Sequence, residues 1–417
     1  MQRLPDRGAG GADLVCPTGV SHSTRRDSGK MRAVRRSLCL LVVAIVTAAG
    51  AFCGVDAMAA PLADRAALRR AMDDLVAAGA VGVQLRIHDE SGDWTGSSGV
   101  AEIGRPEPPS TDGRFRIGSI TKIFVSTVVL QLVGEGRLCL DDPVRDHLPE
   151  YGIDPRITVR MLLQHTSGLF DYTGETNPDG TEEAGIPLRG AEFVDNKLRG
   201  YTLGELARFA LARPARFAPG AQWRYSNTDY ILAGLLIERL TGTPYAWQIY
   251  GRIIVPLGLW STWLPGEDPH IPDPHAHGYY LYQRDGKDEL ADITELNPSW
   301  GGSAGEIIST TADLDRFMTA LLGGRLLAPN LLDMMRTPVP EPKKSAGYGL
   351  GLGVLRVRPN CEVVGHDGGI HGYLSELLST ADGGRRLAMS VTIREDPDSV
   401  STAFTEALAS IGTSLCE

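Results

Sequence analysis

The sequence predicts a mixed α/β (α+β) fold: a mainly antiparallel sheet flanked by N- and C-terminal helices, with an inserted all-helical region over about 120–325. Three observations carry this expectation. Strand-like segments stand near both ends of the chain, helical patterns fill the middle, and the residues able to do chemistry are spread from Ser119 to Gly369. One interleaved unit over 60–417 therefore fits better than two successive domains.

Taken in chain order, residues 66–78 have helical spacing and stop at Gly79, and residues 81–88 and 94–101 alternate as strands around the turn Ser91-Gly92-Asp93. Helices are expected near 120–134, 158–163, 203–211, 230–241, 245–254 and 312–322, with turn-rich loops over 177–187 and 265–276. Strands return near 362–365, 373–379 and 386–393, the last two joined by the hairpin turn Ala381-Asp382-Gly383-Gly384. A final helix, 401–411, is expected to pack on the sheet beside the first.

The N-terminal segment reads as an export signal. Arg32, Arg35 and Arg36 precede an apolar run over 38–52, and Ala57-Met58-Ala59 supplies small residues for cleavage, so 31–59 is expected to be a signal peptide or, uncleaved, an anchor. The run is too short for a stable membrane span, and the rest of the chain is expected to be secreted or extracytoplasmic. Met31 is a natural start for such a signal. Residues 1–30, polar and Gly-rich, are then an untranslated or disordered extension.

After residue 59 the chain has 33 basic and 47 acidic residues, a net charge of −14 against −10 for the whole. Such a surface argues against nucleic acid as a partner.

The chemistry starts at Ser119-Ile120-Thr121-Lys122. Residues three apart share a helix face, so Lys122 can reach Ser119 Oγ while the helix N-terminus offers unpaired N–H groups to an oxyanion. Only six lysines occur in the chain, and this one stands among Ile, Phe and Val. Burial favours the neutral amine, the form that can act as a base. Tyr225-Ser226-Asn227 adds a phenol whose phenolate a nearby ammonium stabilises, and an amide able to hold both Lys122 and a substrate carbonyl. His366-Asp367-Gly368-Gly369, between strand-like residues, reads as an edge strand whose glycines let a substrate backbone lie close, with His366 as a charge or donor beside the serine.

The ordered set S-x-x-K, Y-S-N and H-x-G resembles the serine β-lactamase and penicillin-binding protein superfamily. Its tyrosine and histidine variants are most similar to secreted actinomycete D-alanyl-D-alanine carboxypeptidases, with class C β-lactamase-like hydrolases and esterases nearby. Similarity continues in Gln164-His165-Thr166-Ser167-Gly168-Leu169, in Ser303-Ala304-Gly305 and in Tyr348-Gly349-Leu350-Gly351-Leu352. The resemblance implies a β-lactamase/transpeptidase-like fold and an acyl-enzyme on Ser119. Lys122 and Tyr225 would relay the proton, and Asn227, His366, Asp367, Gly368 and Gly369 would bind substrate. No metal or cofactor is implied, and the partner is a small peptide, ester or β-lactam, cell-wall peptide included. It also implies a disulfide near the C-terminus, for which Cys361 and Cys416 are the pair; Cys139, in the apolar pattern of Gly136-Arg137-Leu138-Cys139-Leu140, is expected to be a buried thiol.

Two departures bear on the substrate. The carboxypeptidases usually carry threonine where this chain has Asp367, and a carboxylate-binding arginine where it has Gly353. Arg356 or Arg358 is left to reach in from the same hairpin. The expected activity is D-alanyl-D-alanine carboxypeptidase-like, with carboxylesterase and β-lactamase as alternatives on the same site and a non-catalytic β-lactam or muropeptide sensor as the alternative of another class.

Three patterns are set aside. Gly301-Gly302-Ser303-Ala304-Gly305 matches a nucleophile elbow but lacks the strand before and the helix after it. His270, His275 and His277 with Asp273 read as a solvated loop rather than a zinc site. His165 is expected to stabilise a turn, and His371 is left open.

Overall fold

Both ends of the described chain build one sheet. The structure, a computed structural model, describes residues 64–177, 179–340, 346–394 and 401–416, so the expected extension and signal peptide lie outside the described residues. The N-terminal part supplies β1 (Gly82–Asp89) and β2 (Gly92–Gly99). The C-terminal part supplies β3 (Val339–Pro340), β4 (Ala346–Tyr348), β5 (Gly353–Arg358), β6 (Cys361–Ile370), β7 (Tyr373–Thr380) and β8 (Arg386–Thr392). The order is β2-β1-β8-β7-β6-β5-β4-β3, with antiparallel neighbours. The two ends join where β1 pairs with β8, from Gly82 opposite Thr392 to His88 opposite Arg386. This is the α/β fold expected of a β-lactamase/transpeptidase-like chain.

The longer helices are α1 (Arg65–Ala77), α2 (Thr121–Gly134), α3 (Asn227–Thr241), α4 (Thr311–Leu322) and α5 (Thr402–Thr413). α1 and α5 cover one face of the sheet. Asp64 caps α1 by accepting from the Ala66 N–H, and Ser401 caps α5 by accepting from the Phe404 N–H. Helical spacing puts Leu68, Met72 and Leu75 on one side of α1, and Phe404, Leu408 and Ile411 on one side of α5. They bury against Val83, Leu85 and Ile87 of β1 and Met389 and Val391 of β8.

The larger core lies on the opposite face. α2 has Ile123, Phe124, Val125, Val128, Val129, Leu130 and Leu132 fully buried, as an all-round apolar helix must be, and Phe124 stacks on Phe317 of α4 at 3.8 Å. α3 buries Tyr230, Ile231, Leu236 and Ile237 and stops at Gly242, whose φ of 72° suits glycine.

Most expected elements stand within a few residues of their predicted limits. The strand expected over 362–365 runs on to Ile370, because each residue from Val363 to Ile370 finds a register partner on β7; long-range pairing outweighs the low strand preference of glycine. β5 was not anticipated, nor was the hairpin Tyr279–Arg284 with Lys287–Asp292, whose largely exposed charged residues hide the alternation. Part of the loop over 177–187 pairs as Gly174–Thr176 with Glu182–Ala184.

Cys361 at the start of β6 is bridged to Cys416 just past α5, with Cα atoms 5.9 Å apart. The bond closes a loop of 55 residues, worth on the order of 4 kcal/mol by restricting the unfolded chain. Cys139 corrects the expectation of a buried thiol: it is half-buried and disulfide-bonded.

Candidate active site

Ser119 sits in a 3₁₀ turn, Gly118–Ile120, that leads into α2. Just before it, Phe115–Arg116 pairs with Ile308–Ser309. The buried Arg116 guanidinium donates to the carbonyls of Pro269, Thr294 and Leu296, drawing the 269–296 segment onto the nucleophile turn. Burial lowers its pKa to about 10, which leaves it charged at neutral pH.

β6 passes against the same turn at backbone distance. Gly118 has a φ of 50°, and a Cβ there would lie 2.8 Å from the Gly369 N; a Cβ on Gly368 would lie 2.0 Å from the Ile117 carbonyl oxygen. Glycine at 118 and 368 is thus what lets strand and turn touch. Ser375 Oγ of β7 donates to the Ile117 carbonyl at 2.9 Å and ties the turn to the sheet. β5 pairs with β6 only as far as Gly365, so the stretch from His366 to Ile370 presents a strand edge on that side.

Lys122 is fully buried, and its ammonium has three acceptors for its three hydrogens: Ser119 Oγ at 2.9 Å, Asn227 Oδ1 at 2.8 Å and the Ala304 carbonyl at 2.8 Å. The Tyr225 hydroxyl donates to Ser119 Oγ at 2.7 Å, and Lys122 Nζ lies 4.8 Å from the centre of the Tyr225 ring. The structure therefore brings Ser119, Lys122, Tyr225 and Asn227 into one hydrogen-bonded group beside Gly368 and Gly369. Asn227 and Ala304 are 105 and 182 residues from Lys122 in sequence.

A layer that sequence reasoning missed holds this group. Asp171 Oδ2 accepts from the Asn227 backbone N–H at 2.9 Å and from Nδ2 at 3.1 Å, which fixes the amide so that its oxygen faces Lys122. Burial raises the Asp171 carboxyl, opposed by bonds from Thr173 and Asn227. Glu175 accepts from the Asp171 N–H and pairs with Arg216 and Arg224 at 2.9 and 2.8 Å, so the residue before Tyr225 is anchored too. His165, in the left-handed region at φ 61°, packs its ring 4.4 Å from that of Tyr225, with Nδ1 3.0 Å from Asp229 Oδ2. Burial, aided by Lys122 and His366, holds His165 well below its ordinary pKa and so neutral. Apart from His165, which the Gln164-His165-Thr166-Ser167-Gly168-Leu169 stretch had singled out, the signal for this layer is an acid set among aromatics in Phe170-Asp171-Tyr172, which nothing local connects to Asn227.

The outcome for His366 and Asp367 differs from the expectation. His366 is buried, with Nε2 2.8 Å from the Tyr348 hydroxyl and Nδ1 on the Asp367 carbonyl, and its ring lies 6.3 Å from that of Tyr225. It is a neighbour of the group rather than a direct partner of Ser119. Strand alternation turns Asp367 to the opposite face of the sheet, beside its register partner Glu376 and a small cavity walled by Leu374, Met389 and Leu408. The Asp367 side chain keeps 24% exposure at the strand edge, with Oδ1 3.7 Å from His366 Nδ1. The expected repulsion of a substrate anion across the cleft is weakened accordingly.

Glu376 is buried among these apolar side chains, and burial, then Asp367, pushes its carboxyl up from 4.5 to about 8. The native state thus holds a proton that the unfolded chain releases near 4.5. The resulting stability is complete at lower pH and is lost as pH rises through about 8. Glu376→Gln should therefore melt above the wild type at pH 8, with the gap closing towards pH 5. A pH-independent difference in Tm would contradict a neutral buried Glu376.

The remaining candidates fall elsewhere. Gly353 stands opposite Gly365, Arg358 donates to the Cys416 carbonyl at 3.1 Å, and Arg356 is exposed at the Glu362 register. Ser303 Oγ donates to the Tyr230 carbonyl at 2.8 Å in the core, while its neighbour Ala304 serves Lys122. His270, His275 and His277 contact Asp268, Asp273 and Asp292 separately. His371 Nε2 bonds the Leu188 carbonyl and the ring stacks on Phe193 at 3.8 Å.

A family model described as Beta-lactamase matches residues 68–409. The chain belongs to the beta-lactamase family. Among solved structures it is similar to a D-stereospecific amidohydrolase from Streptomyces sp., with 39% identity, a TM-score of 0.73, and 82% of this chain and 97% of that one covered. It is 36% identical to Esterase EstB of Burkholderia gladioli over 39% of this chain and 41% of that protein, and 29% identical to Penicillin-binding protein 4 of Amycolatopsis lactamdurans over 67% and 72%. The chain spans between 41% and 66% of the length of the first three curated relatives it matches. Among the described residues no helix is long and apolar enough to cross a membrane.

Proposed function

We propose that this family member hydrolyses amide and ester bonds through an acyl-enzyme on Ser119, favouring D-amino-acid amides and short-chain esters over peptides with a free D-alanyl carboxylate. The observation that carries the choice is Gly353 on β5, opposite Gly365 and so one residue short of His366, with Arg358 committed to the Cys416 carbonyl and Arg356 exposed at the Glu362 register. A buried-anion subsite needs a cation or several donors, and this hairpin offers none of its arginines to the cleft. Similarity to an amidohydrolase and an esterase supports the same preference.

In this reading Tyr225 reacts as the phenolate, its own hydrogen released to solvent with the Lys122 ammonium beside the ring; Ser119 Oγ attacks the acyl carbon and passes its proton to that phenolate oxygen. Lys122, with all three hydrogens already engaged, keeps Ser119, Asn227 and the Ala304 carbonyl in place as an ammonium. N–H groups of Ser119 and the Gly368-Gly369 segment hold the oxyanion, each worth roughly 10²- to 10³-fold in such sites. The proton returns to the departing amine or alcohol, and water then releases the acyl group by the same relay. The signal-like segment 31–59 makes the site of action extracytoplasmic.

The second reading, a D-alanyl-D-alanine carboxypeptidase, is favoured by the similarity to Penicillin-binding protein 4. Rates on D-phenylalanine amide, L-phenylalanine amide, nitrophenyl butyrate and a diacylated Lys-D-Ala-D-Ala peptide separate the two. The D-amide or the ester should exceed the peptide in kcat/KM by at least ~10-fold, about 1.4 kcal/mol of transition-state binding. A peptide rate above both reverses the assignment.

A further inference from the structure

Tyr348 touches neither Ser119 nor Lys122, yet it is buried at the inner end of a polar chain that starts at His366. The His366 Nδ1 lies on the Asp367 carbonyl oxygen, which can only accept, so Nδ1 carries a hydrogen. In the neutral ring Nε2 is then a lone pair, and the Tyr348 hydroxyl donates to it across 2.8 Å. Tyr348 also interacts electrostatically with the hydroxyl of Tyr230, whose own hydrogen is committed to the Leu163 carbonyl at 2.9 Å and whose oxygen, bonded to Ser126 Oγ at 2.9 Å, keeps a second lone pair as an acceptor.

We propose that Tyr348 is a positioning residue that lets His366 take up a proton without losing a hydrogen bond, and that this charge switch sets the acidic limb of the hydrolase reaction. The inference rests on the acyl-Ser119 reading above. One proton arrives from solvent on Nε2. The existing bond reverses, with Nε2–H donating to the Tyr348 oxygen, and the Tyr348 hydrogen turns towards the Tyr230 oxygen. No heavy atom need move. The groups facing His366 pull in different directions: its burial and Lys122 of α2 disfavour the cation, while the Asp367 carboxylate favours it. Tyr225 and His165 lie on the cleft side, and Glu376 lies beyond Asp367. A cationic ring 6.3 Å from the Tyr225 ring makes the Tyr225 phenolate oxygen a poorer proton acceptor, so turnover falls as His366 gains its charge.

Tyr348→Phe removes the acceptor that the charged ring needs, and a charge-assisted bond counts for more than the neutral one lost with it. With each profile normalised to its own plateau, the acidic midpoint of kcat/KM on nitrophenyl butyrate should move to lower pH by roughly one unit. Superimposable profiles overturn the proposal. A second measurement avoids dependence on the variant's folding: ¹⁵N imidazole spectra of the wild type, with the His366 signals identified by their loss in His366→Gln. The ring should be the Nδ1–H tautomer at high pH and titrate across the activity limb; an Nε2–H tautomer, or no titration there, overturns it. Intact-mass detection of an acyl adduct on Ser119 reports separately on the underlying reaction.

Discussion

Ser119→Ala should lower kcat on every amide and ester substrate by on the order of 10⁴-fold or more, and no acyl adduct should form with substrate or with a β-lactam. The change removes one oxygen, and with it the acceptor for both Lys122 Nζ and the Tyr225 hydroxyl. The fold should persist, because Lys122 retains Asn227 and the Ala304 carbonyl as partners. Steady-state rates and intact mass on the purified variant check this. Activity within tenfold of the wild type would mean that the reaction uses another nucleophile, and Ser303, bonded inward to the Tyr230 carbonyl, offers no substitute.

Tyr225→Phe carries the second large effect. Its oxygen, once the phenol has given up its own hydrogen, is the partner of Ser119 Oγ that can receive a proton while Lys122 remains an ammonium with its hydrogens matched to acceptors. Losing a positioned proton acceptor costs about 10²- to 10⁴-fold, and the larger part of that range is expected here because both acylation and deacylation use the same atom. The ring itself stays, packed beside His165 at 4.4 Å, so Tm should remain within a few degrees. Single-turnover acylation by a nitrophenyl ester, set beside steady-state turnover, tests the role. A variant that acylates at the wild-type rate would move the first proton transfer to Lys122.

How much of this was legible in the chain varies with the distance over which each contact is made. The Ser119–Lys122 contact is set by helical spacing over three residues, and the strands and helices at both ends follow from alternation and caps within a few residues. The Tyr225-Ser226-Asn227 segment announces its chemistry by residue type. Its grip does not: Asp171 reaches Asn227 across 56 residues, and Glu175 couples to Arg216 and Arg224, contacts that no local pattern encodes.

His366-Asp367-Gly368-Gly369 divides in the same way. The glycines were expected to let a substrate backbone lie close; what meets them in the structure is the protein's own turn at Ile117 and Gly118. The two side chains depended on pairing. β6 continues to Ile370 because β7 supplies a partner at each position, and that register turns His366 towards Tyr348 and Asp367 towards Glu376.

By itself, then, the sequence pointed to the superfamily, to most of the longer elements and to Ser119, Lys122, Tyr225 and Asn227 as the residues that would come together, since residue type and short spacing are properties of the covalent chain. Only the tertiary structure decided which face Asp367 takes, what holds Asn227, where the hairpin arginines go and which partner His366 keeps. Those outcomes depend on strand register and on contacts between segments far apart in sequence, and neither exists until the two ends of the chain close into one sheet around α2.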